Sequence, residues 1–160
     1  MGTAQRYYEA CEGSWSAHLA LTITDPRQLR EAYGWSMAVS WRTLALLPGL
    51  RLHTSVVVEG PASVRHTTRI TWGPLTMMRG TEDLILDGPK LQMAGESRSL
   101  AGQRFGVEGH GEVNATSSGA HYQLRFMGAG LEQTAELEGN RVTLRQMGPG
   151  FQSCAALDRQ

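Results

Sequence analysis

The sequence predicts an all-β fold: a closed antiparallel meander barrel of about eight to ten strands, with a helical insert between the first and second strands. Most of the chain consists of short segments in which apolar and polar residues alternate, as in half-buried strands. Its 19 glycines exceed the usual share of ~7% and supply the tight turns that many strands need. A sheet of this size tends to curl, and closure removes its edges, so we favour a barrel over a two-sheet sandwich, the alternative.

The first strand and the insert come at the start of the chain. Residues 14–24 alternate throughout and are predicted as one strand. Asp25 is a preferred helix N-cap, Pro26 is tolerated in the first turn, and the apolar spacing from there to Leu47 is helical. Gly34 lies inside this stretch, so one kinked helix and two short helices both fit it. Apolar residues surround most of the helical stretch, which predicts that it is covered on several sides or roofs a cavity.

The rest of the chain is predicted as strands separated by turns rich in glycine, proline, aspartate and asparagine. The longest alternating stretch is 104–115, which we expect to bend at its glycines. The predicted strands are 51–59, 63–72, 75–79, 82–87, 91–99, 104–115, 121–127, 131–138, 141–147 and 151–156. The break between 75–79 and 82–87 is placed at Gly80.

Composition and charge exclude several classes of protein. Fifteen basic and fifteen acidic residues cancel, which argues against non-specific nucleic-acid binding and against a polybasic membrane-surface protein. No uncharged apolar run is long enough to span a bilayer, and the polar N-terminus does not resemble a signal peptide. Two cysteines, Cys11 and Cys154, do not form a disulfide framework. We therefore expect a single cytoplasmic domain over 1–160, as a monomer or homodimer with no nucleic-acid partner.

One tripeptide carries a family resemblance. Gly13-Ser14-Trp15, at the start of the first strand, resembles the Gly-x-Trp of the calycin superfamily, the lipocalins and fatty-acid-binding-protein-like barrels. The preceding segment, 6–12, is then expected to form the turn that closes the barrel base. A helix between the first two strands is more similar to the fatty-acid-binding branch, in which a helical lid covers the mouth.

The chain departs from these families in two motifs. The Thr-Asp-Tyr of lipocalins is absent. The Arg-x-Tyr that holds a carboxylate in the fatty-acid-binding branch is also absent, since the nearest candidates are Arg141-x-Thr143 and Arg145-x-Met147. A carboxylate-bearing ligand therefore does not follow from the resemblance.

No residue pattern specifies a catalytic or metal centre. The chain has no Gly-x-Ser-x-Gly and no phosphate-binding glycine loop, and no histidine pair has metal-ligand spacing on one element. The strands from Leu131 onward offer no proximal histidine for haem, so we expect no metal and no cofactor. His66 lies mid-strand on the apolar face, where it would either face a ligand or bond to a neighbouring strand.

The aromatic residues predict where a ligand would bind. They fall on the apolar faces of their strands or in the helical insert, and they either fill a small barrel or line a cavity. We expect the cavity, because small residues, among them Gly109 and Gly111, are interleaved with them. The predicted ligand-binding residues are Trp15, Trp35, Trp41, His66, Trp72, Phe105, Tyr122 and Phe126.

Three functions are compatible with this architecture. We expect a barrel that binds a small hydrophobic or aromatic molecule under the helical insert. The alternative is a cofactor-independent isomerase or cyclase acting on a hydrophobic metabolite in the same cavity, with His66 and Tyr122 as its catalytic residues. The third is an interaction module with a solid interior.

Overall fold

A computed structural model describes residues 1–160 and shows a closed antiparallel β-barrel with three helices. Ten strands form the ring, because strands β3 to β11 pair in sequence order and β1 pairs with both β3 and β11. The additional strand, β2, pairs with β11. The elements are α1 (Thr3–Cys11), β1 (Gly13–His18), β2 (Ala20–Ile23), α2 (Pro26–Tyr33), α3 (Trp35–Leu46), β3 (Leu50–Gly60), β4 (Ser63–Trp72), β5 (Leu75–Asp87), β6 (Lys90–Ser99), β7 (Arg104–Val113), β8 (Gly119–Phe126), β9 (Ala129–Glu138), β10 (Arg141–Gly148) and β11 (Phe151–Arg159).

The predicted first strand, 14–24, is two strands in the structure. β1 pairs with β3 as far as His18 opposite Arg51, and the amide of Leu19 then donates to the carbonyl of Leu50 at 2.9 Å. β3 begins at Leu50, so the chain beyond this point has only β11 beside it, and β2 pairs there. The alternation in the sequence continues across the junction because both strands direct the same face inward.

The helical insert follows β2 and consists of two helices. Asp25 caps the first, since its carboxylate accepts from the amides of Arg27 at 3.0 Å and Gln28 at 3.2 Å. Gly34 separates α2 from α3 at φ +86° and ψ 167°, a conformation that is almost confined to glycine. Of the two arrangements left open by the sequence, the structure therefore has two short helices. We refer to α2 and α3 together as the lid.

The predicted strand break at Gly80 was wrong, because β5 runs without interruption from Leu75 to Asp87. Gly80 lies opposite Thr68 of β4 and Ser97 of β6. A Cβ atom at this position would come within 2.6 Å of the Ser97 hydroxyl oxygen. The glycine thus permits close approach of a neighbouring side chain inside a strand instead of ending the strand.

Helix α1 covers the end of the barrel opposite the lid, where the sequence predicted a closing turn over 6–12. Its buried side chains include Tyr7, Tyr8 and Cys11, and the Tyr8 hydroxyl hydrogen-bonds to the hydroxyl of Tyr122 on β8. We refer to this end as the base. Both cysteines are free thiols. None of the three helices combines the length and the apolar character that a membrane crossing requires.

The base also joins the two ends of the chain. Arg159, the last residue of β11, places its guanidinium carbon 4.3 Å from the ring centroid of Trp15. The same guanidinium donates to the carbonyls of Ala10, at 2.6 Å, and Glu12. The indole of Trp15 in turn donates to the carbonyl of Cys11 at 2.8 Å. These contacts connect the last strand, the first strand and α1 where the ring closes.

Candidate ligand-binding cavity

A cavity of about 160 Å³ lies inside the barrel, and apolar side chains form most of its wall. For comparison, an engineered apolar cavity of ~150 Å³ binds benzene. Of its 25 lining residues, 16 are hydrophobic. The apolar lining residues are Leu19, Leu21, Trp41, Leu44, Leu50, Leu52, Ile70, Met78, Met93, Val107, Leu124, Phe126, Leu131, Leu144, Phe151 and Ala155. The others are Thr54, His66, Thr68, Gly80, Glu82, Ser97, Gln133, Gln146 and Ser153.

The lid supplies the roof of the cavity through α3, whose Trp41 and Leu44 line it. The Trp41 ring meets Phe151 of β11 edge-on, with centroids 4.3 Å apart, and stacks on Phe126 of β8 at 5.9 Å. Aromatic pairs with these geometries attract one another beyond the burial of their area. Trp41 therefore holds the lid against two strands of the barrel.

An acid–base pair lies on one side of the cavity. His66 of β4 and Glu82 of β5 are directly opposite in the strand register, and His66 Nδ1 lies 2.8 Å from Glu82 Oε2. Both side chains are largely buried, with 20% of His66 and 14% of Glu82 exposed. Since an ionised carboxylate only accepts hydrogen bonds, Nδ1 donates when Glu82 is charged. We refer to these two residues as the dyad.

A second polar group lies on β9, β10 and β11. The Ser153 hydroxyl donates to Gln146 Oε1 at 3.4 Å, and the Gln146 amide nitrogen donates to Gln133 Oε1 at 2.6 Å. The three residues stand at paired positions of neighbouring strands, which places their side chains on one face of the sheet. We refer to Ser153, Gln146 and Gln133 as the amide chain.

The order of the strands places the dyad and the amide chain on opposite walls. In the ring of ten strands, β9 lies five positions from β4, and β10 lies five positions from β5. Five positions are half of the circumference. Most residues of the wall between the two polar groups are apolar, and Thr54 and Ser97 are neutral exceptions.

No arginine or lysine lines the cavity. Glu82 is its one acidic residue and His66 its one histidine. The positive charges of the neighbouring strands lie on the outer face instead. Arg65, for example, bonds to Glu59 and Asp83 there, with half of its side chain exposed. The cavity is thus apolar, with a single carboxyl group and several neutral hydrogen-bonding groups.

Three of the predicted ligand-binding residues, Trp41, His66 and Phe126, line this cavity. Phe105 is buried behind it and packs against Phe126, with ring centroids 5.6 Å apart. Gly109 and Gly111, expected to leave room for a ligand, do not line the cavity. A Cβ on Gly109 would overlap the carbonyl oxygen of Gln123, and one on Gly111 would lie 2.6 Å from the carbonyl oxygen of His121. These glycines therefore permit close approach of the β8 backbone and do not leave room for a ligand.

Trp15 and Tyr122 line a smaller space of about 50 Å³ at the base, and this space shares five lining residues with the main cavity: Thr54, His66, Met93, Gln133 and Leu144. The hydroxyl of Tyr122 bonds to that of Tyr8, and burial raises the pKa of Tyr122 above its ordinary value. The phenol is therefore a neutral, hydrogen-bonded group below the main cavity. His66 lines this space as well as the main cavity, so the catalytic pairing of His66 with Tyr122 stays a prediction.

Trp35 and Trp72 do not line either space. Trp35 opens α3 and is 70% exposed. Trp72 closes β4, where the strand reaches the rim of the barrel, and its indole donates to the carbonyl of Pro48 at 3.0 Å with 38% of the residue exposed. Alternation predicted an inward position for Trp72, but the register with β5 shifts between Ile70 and Thr71, and Trp72 lies at the end of the strand, outside the cavity.

Glu82 and the amide chain were not predicted as site residues. Glu82 shares the parity of the buried Leu84 and Leu86, and this pattern was present within the predicted strand 82–87. Gln133 shares the parity of the buried Leu131 and Ala135, between outward glutamates, and this pattern was present in the sequence. A polar residue at an inward strand position marks the site in both cases.

No family model matches the chain, and no curated protein matches it in sequence. Solved structures do match. Fatty-acid-binding protein 1 of Echinococcus granulosus has a TM-score of 0.59 at 10% identity, over 94% of this chain and 98% of that one. The protein Rv2717c from M. tuberculosis has a TM-score of 0.64 at 12% identity, over 98% and 97%. The REP1-NXSQ fatty acid transporter has 0.54 at 9% identity, over 95% and 97%. The chain therefore has the fold of the calycin-like barrels that include the fatty-acid-binding proteins.

Proposed function

We propose that the protein binds a small, mainly apolar molecule of about the size of one substituted ring inside the barrel. The observation that carries the proposal is the cavity of about 160 Å³ with 16 hydrophobic lining residues beneath Trp41 of the lid. Two of the similar structures carry fatty-acid binding or transport in their names, which supports hydrophobic binding as a use of this fold. A cytoplasmic location and a monomeric or homodimeric state stay predictions from the sequence.

The size of the cavity supports a small ligand. Pockets for drug-sized ligands usually measure ~300–1,000 Å³, well above the volume seen here. Complete burial of ~200 Å² of apolar ring surface, at ~25 cal/mol per Å², contributes ~5 kcal/mol, which corresponds to a Kd of ~0.2 mM. Met78 and Met93 line the wall, and their flexible side chains allow it to adapt to the shape of a ring.

Titration with toluene tests the proposal, followed by calorimetry and by amide chemical shifts. Ala155 lines the cavity and is 2% exposed, so Ala155→Leu fills part of the space and is expected to weaken toluene binding at least tenfold. The matched control is Ala156→Leu, because Ala156 is the next residue on β11 and points outward. Absence of toluene binding in the unaltered protein, or equal effects of the two variants, would contradict the proposal.

A further inference from the structure

We propose that the cavity selects a neutral ring compound bearing a hydroxyl group and rejects the corresponding carboxylate. This inference rests on the proposed function, because it concerns the polar end of a ligand held in the same cavity. Two features carry it: a hydrogen-bonding group on each of two walls, and a largely buried carboxyl group in a cavity that no arginine or lysine lines.

The dyad offers free acceptor capacity to a ligand. Glu82 Oε2 is bonded to His66 Nδ1, while Glu82 Oε1 and His66 Nε2 make no hydrogen bond within the protein. When Nδ1 carries the proton that it donates to Glu82, Nε2 of the neutral ring is an acceptor. A ligand that donates a hydrogen bond therefore finds two acceptors on this wall.

The amide chain offers a donor from the opposite wall. The chain runs from the Ser153 hydroxyl through Gln146 to the carbonyl oxygen of Gln133. Its last group, the Gln133 amide nitrogen, has no acceptor within the protein, although Gln133 is only 7% exposed. The Tyr33 hydroxyl is the one fully enclosed side-chain group without a partner, so the Gln133 nitrogen keeps accessible surface and a ligand oxygen in the cavity can accept from it.

A hydroxyl group matches both walls, because its oxygen accepts one hydrogen bond while its proton is donated to another group. His66 and Gln133 both line the smaller space at the base as well as the main cavity, so a hydroxyl placed where the two spaces meet would accept from Gln133 and donate to His66 Nε2. A phenol is neutral at neutral pH, as the tyrosine side chain is, so its burial carries no cost of charge desolvation.

A carboxylate of the same size does not match. Its charge would be buried close to Glu82, and no arginine or lysine lines the cavity to neutralise either group. Burying an unpaired charge is costly, and two carboxylates in one site disfavour each other's ionised forms. Acidic ligands are thus excluded by charge even where their apolar part fits.

The experiment compares three ligands with the same methylated ring: toluene, p-cresol and p-toluate. Each is titrated at neutral pH into the unaltered protein, with calorimetry and amide chemical shifts as readouts. We expect p-cresol to bind about tenfold more tightly than toluene, and p-toluate to bind at least ~100-fold more weakly than p-cresol.

Glu82→Gln is the decisive variant, because it replaces the carboxyl group by a neutral amide of the same size. It is expected to strengthen p-toluate binding at least tenfold and to reduce the advantage of p-cresol over toluene. Glu108→Gln is the control, since Glu108 is exposed on β7 and the chemical change is identical. Gln133→Leu tests the other wall and is expected to reduce the advantage of p-cresol without strengthening p-toluate.

The outcomes separate this inference from the proposed function. If toluene binds but p-cresol is no tighter, or p-toluate binds as well as p-cresol, the selection by charge and hydroxyl group is wrong while the apolar cavity stands. If none of the three ligands binds, both proposals are wrong. The ligand series on the unaltered protein decides the matter even if Glu82→Gln does not fold.

Discussion

At the scale of single residues, the buried tyrosine hydroxyls differ in whether they have a hydrogen-bond partner. Tyr8 and Tyr122 satisfy each other at the base, and burial raises the pKa of both well above the ordinary value. Tyr33 on α2 packs against Trp41 and Phe126, and its hydroxyl is buried without a partner. Burial raises the pKa of Tyr33 to about 12. The three phenols therefore stay neutral, but only two of them are paired.

Tyr8→Phe is expected to lower the free energy of unfolding by about 1–3 kcal/mol, because it leaves the Tyr122 hydroxyl buried without a partner. The double change Tyr8→Phe with Tyr122→Phe is expected to recover part of that loss. Tyr33→Phe is the matched control: it removes a hydroxyl that has no partner, so stability should stay equal or rise. Urea denaturation measures all of these variants, and equal losses for Tyr8→Phe and Tyr33→Phe would show that the pairing is unimportant.

His53 on β3 predicts a pH dependence of stability. Partial burial, followed by the charges of Arg69 and Arg51, lowers the pKa of His53 below its ordinary value. The unfolded chain therefore binds the proton more readily than the folded protein does. The contribution of His53 to the free energy of unfolding is complete above the ordinary histidine pKa of ~6.5. It is lost as the pH falls from there towards the lower pKa of the folded state.

His53→Gln is expected to reduce the fall in Tm between pH values above and below ~6.5, since it removes one group that resists protonation in the folded state. His110→Gln, at an exposed position on β7, is the control for loss of a histidine. An unchanged pH profile for His53→Gln would contradict the predicted effect.

Single residues of the site were only partly predictable. His66 was singled out because a histidine on an apolar strand face is unusual, and it does line the cavity. Glu82 was missed although it shares the parity of Leu84 and Leu86 within the predicted strand 82–87. The pairing of His66 with Glu82 is a contact between neighbouring strands. Its register follows from the hairpin that joins them, which local alternation does not specify.

At the scale of elements, the junction of the lid depends on Gly34. Its φ of +86° and ψ of 167° belong to a region that residues with a side chain rarely adopt, and no atom outside its own neighbours lies within 4 Å of an added Cβ. The cost of a substitution there is therefore one of backbone conformation alone.

Gly34→Ala is expected to destabilise the protein by about 1–3 kcal/mol and to loosen the lid. The control is Gly106→Ala on β7, where an added Cβ also meets open space but no positive φ is required. That change is expected to be neutral or slightly stabilising. Thermal unfolding compares the two, and a similar small effect of both would show that α2 and α3 rearrange readily.

The elements themselves were largely predictable. Alternation and turn residues located the strands from β3 to β11, and the cap at Asp25 located the start of α2. The errors arose where pairing with other strands, and not the local sequence, determines where a strand begins or ends. β1 and β2 separate because β3 begins beside Leu19, and β5 continues through Gly80 because strands on both sides pair with it. Neither cause is visible in a single segment.

At the scale of the whole molecule, the ring closes where β1 meets β11, and Arg159 reinforces that closure. Its guanidinium contacts the Trp15 ring and donates to two carbonyls at the end of α1. The Gly13-Ser14-Trp15 tripeptide that carried the family resemblance therefore forms part of the closure. The sequence predicted the closed barrel, but not that Arg159 would be its partner, because the two lie at opposite ends of the chain.

Arg159→Ala is expected to lower the free energy of unfolding by about 1–3 kcal/mol, through loss of the cation–π contact and of two charge-assisted hydrogen bonds. Arg159→Lys should recover little of this lost stability, because a single ammonium group does not reproduce the planar, forked guanidinium group. Arg145→Ala, on the exposed face of β10, controls for loss of a surface charge. Chemical denaturation is the measurement, and equal effects at Arg145 and Arg159 would contradict this role.

The closed ring also restricts how a peptide could attach to this protein. Every strand from β4 to β10 has a hydrogen-bonded neighbour on both sides, so its main-chain groups are already engaged. Recognition by strand addition needs an open row of amides and carbonyls, and only short stretches such as the outer side of β2 provide one. Elsewhere on the barrel wall, a macromolecule would have to be recognised through side chains.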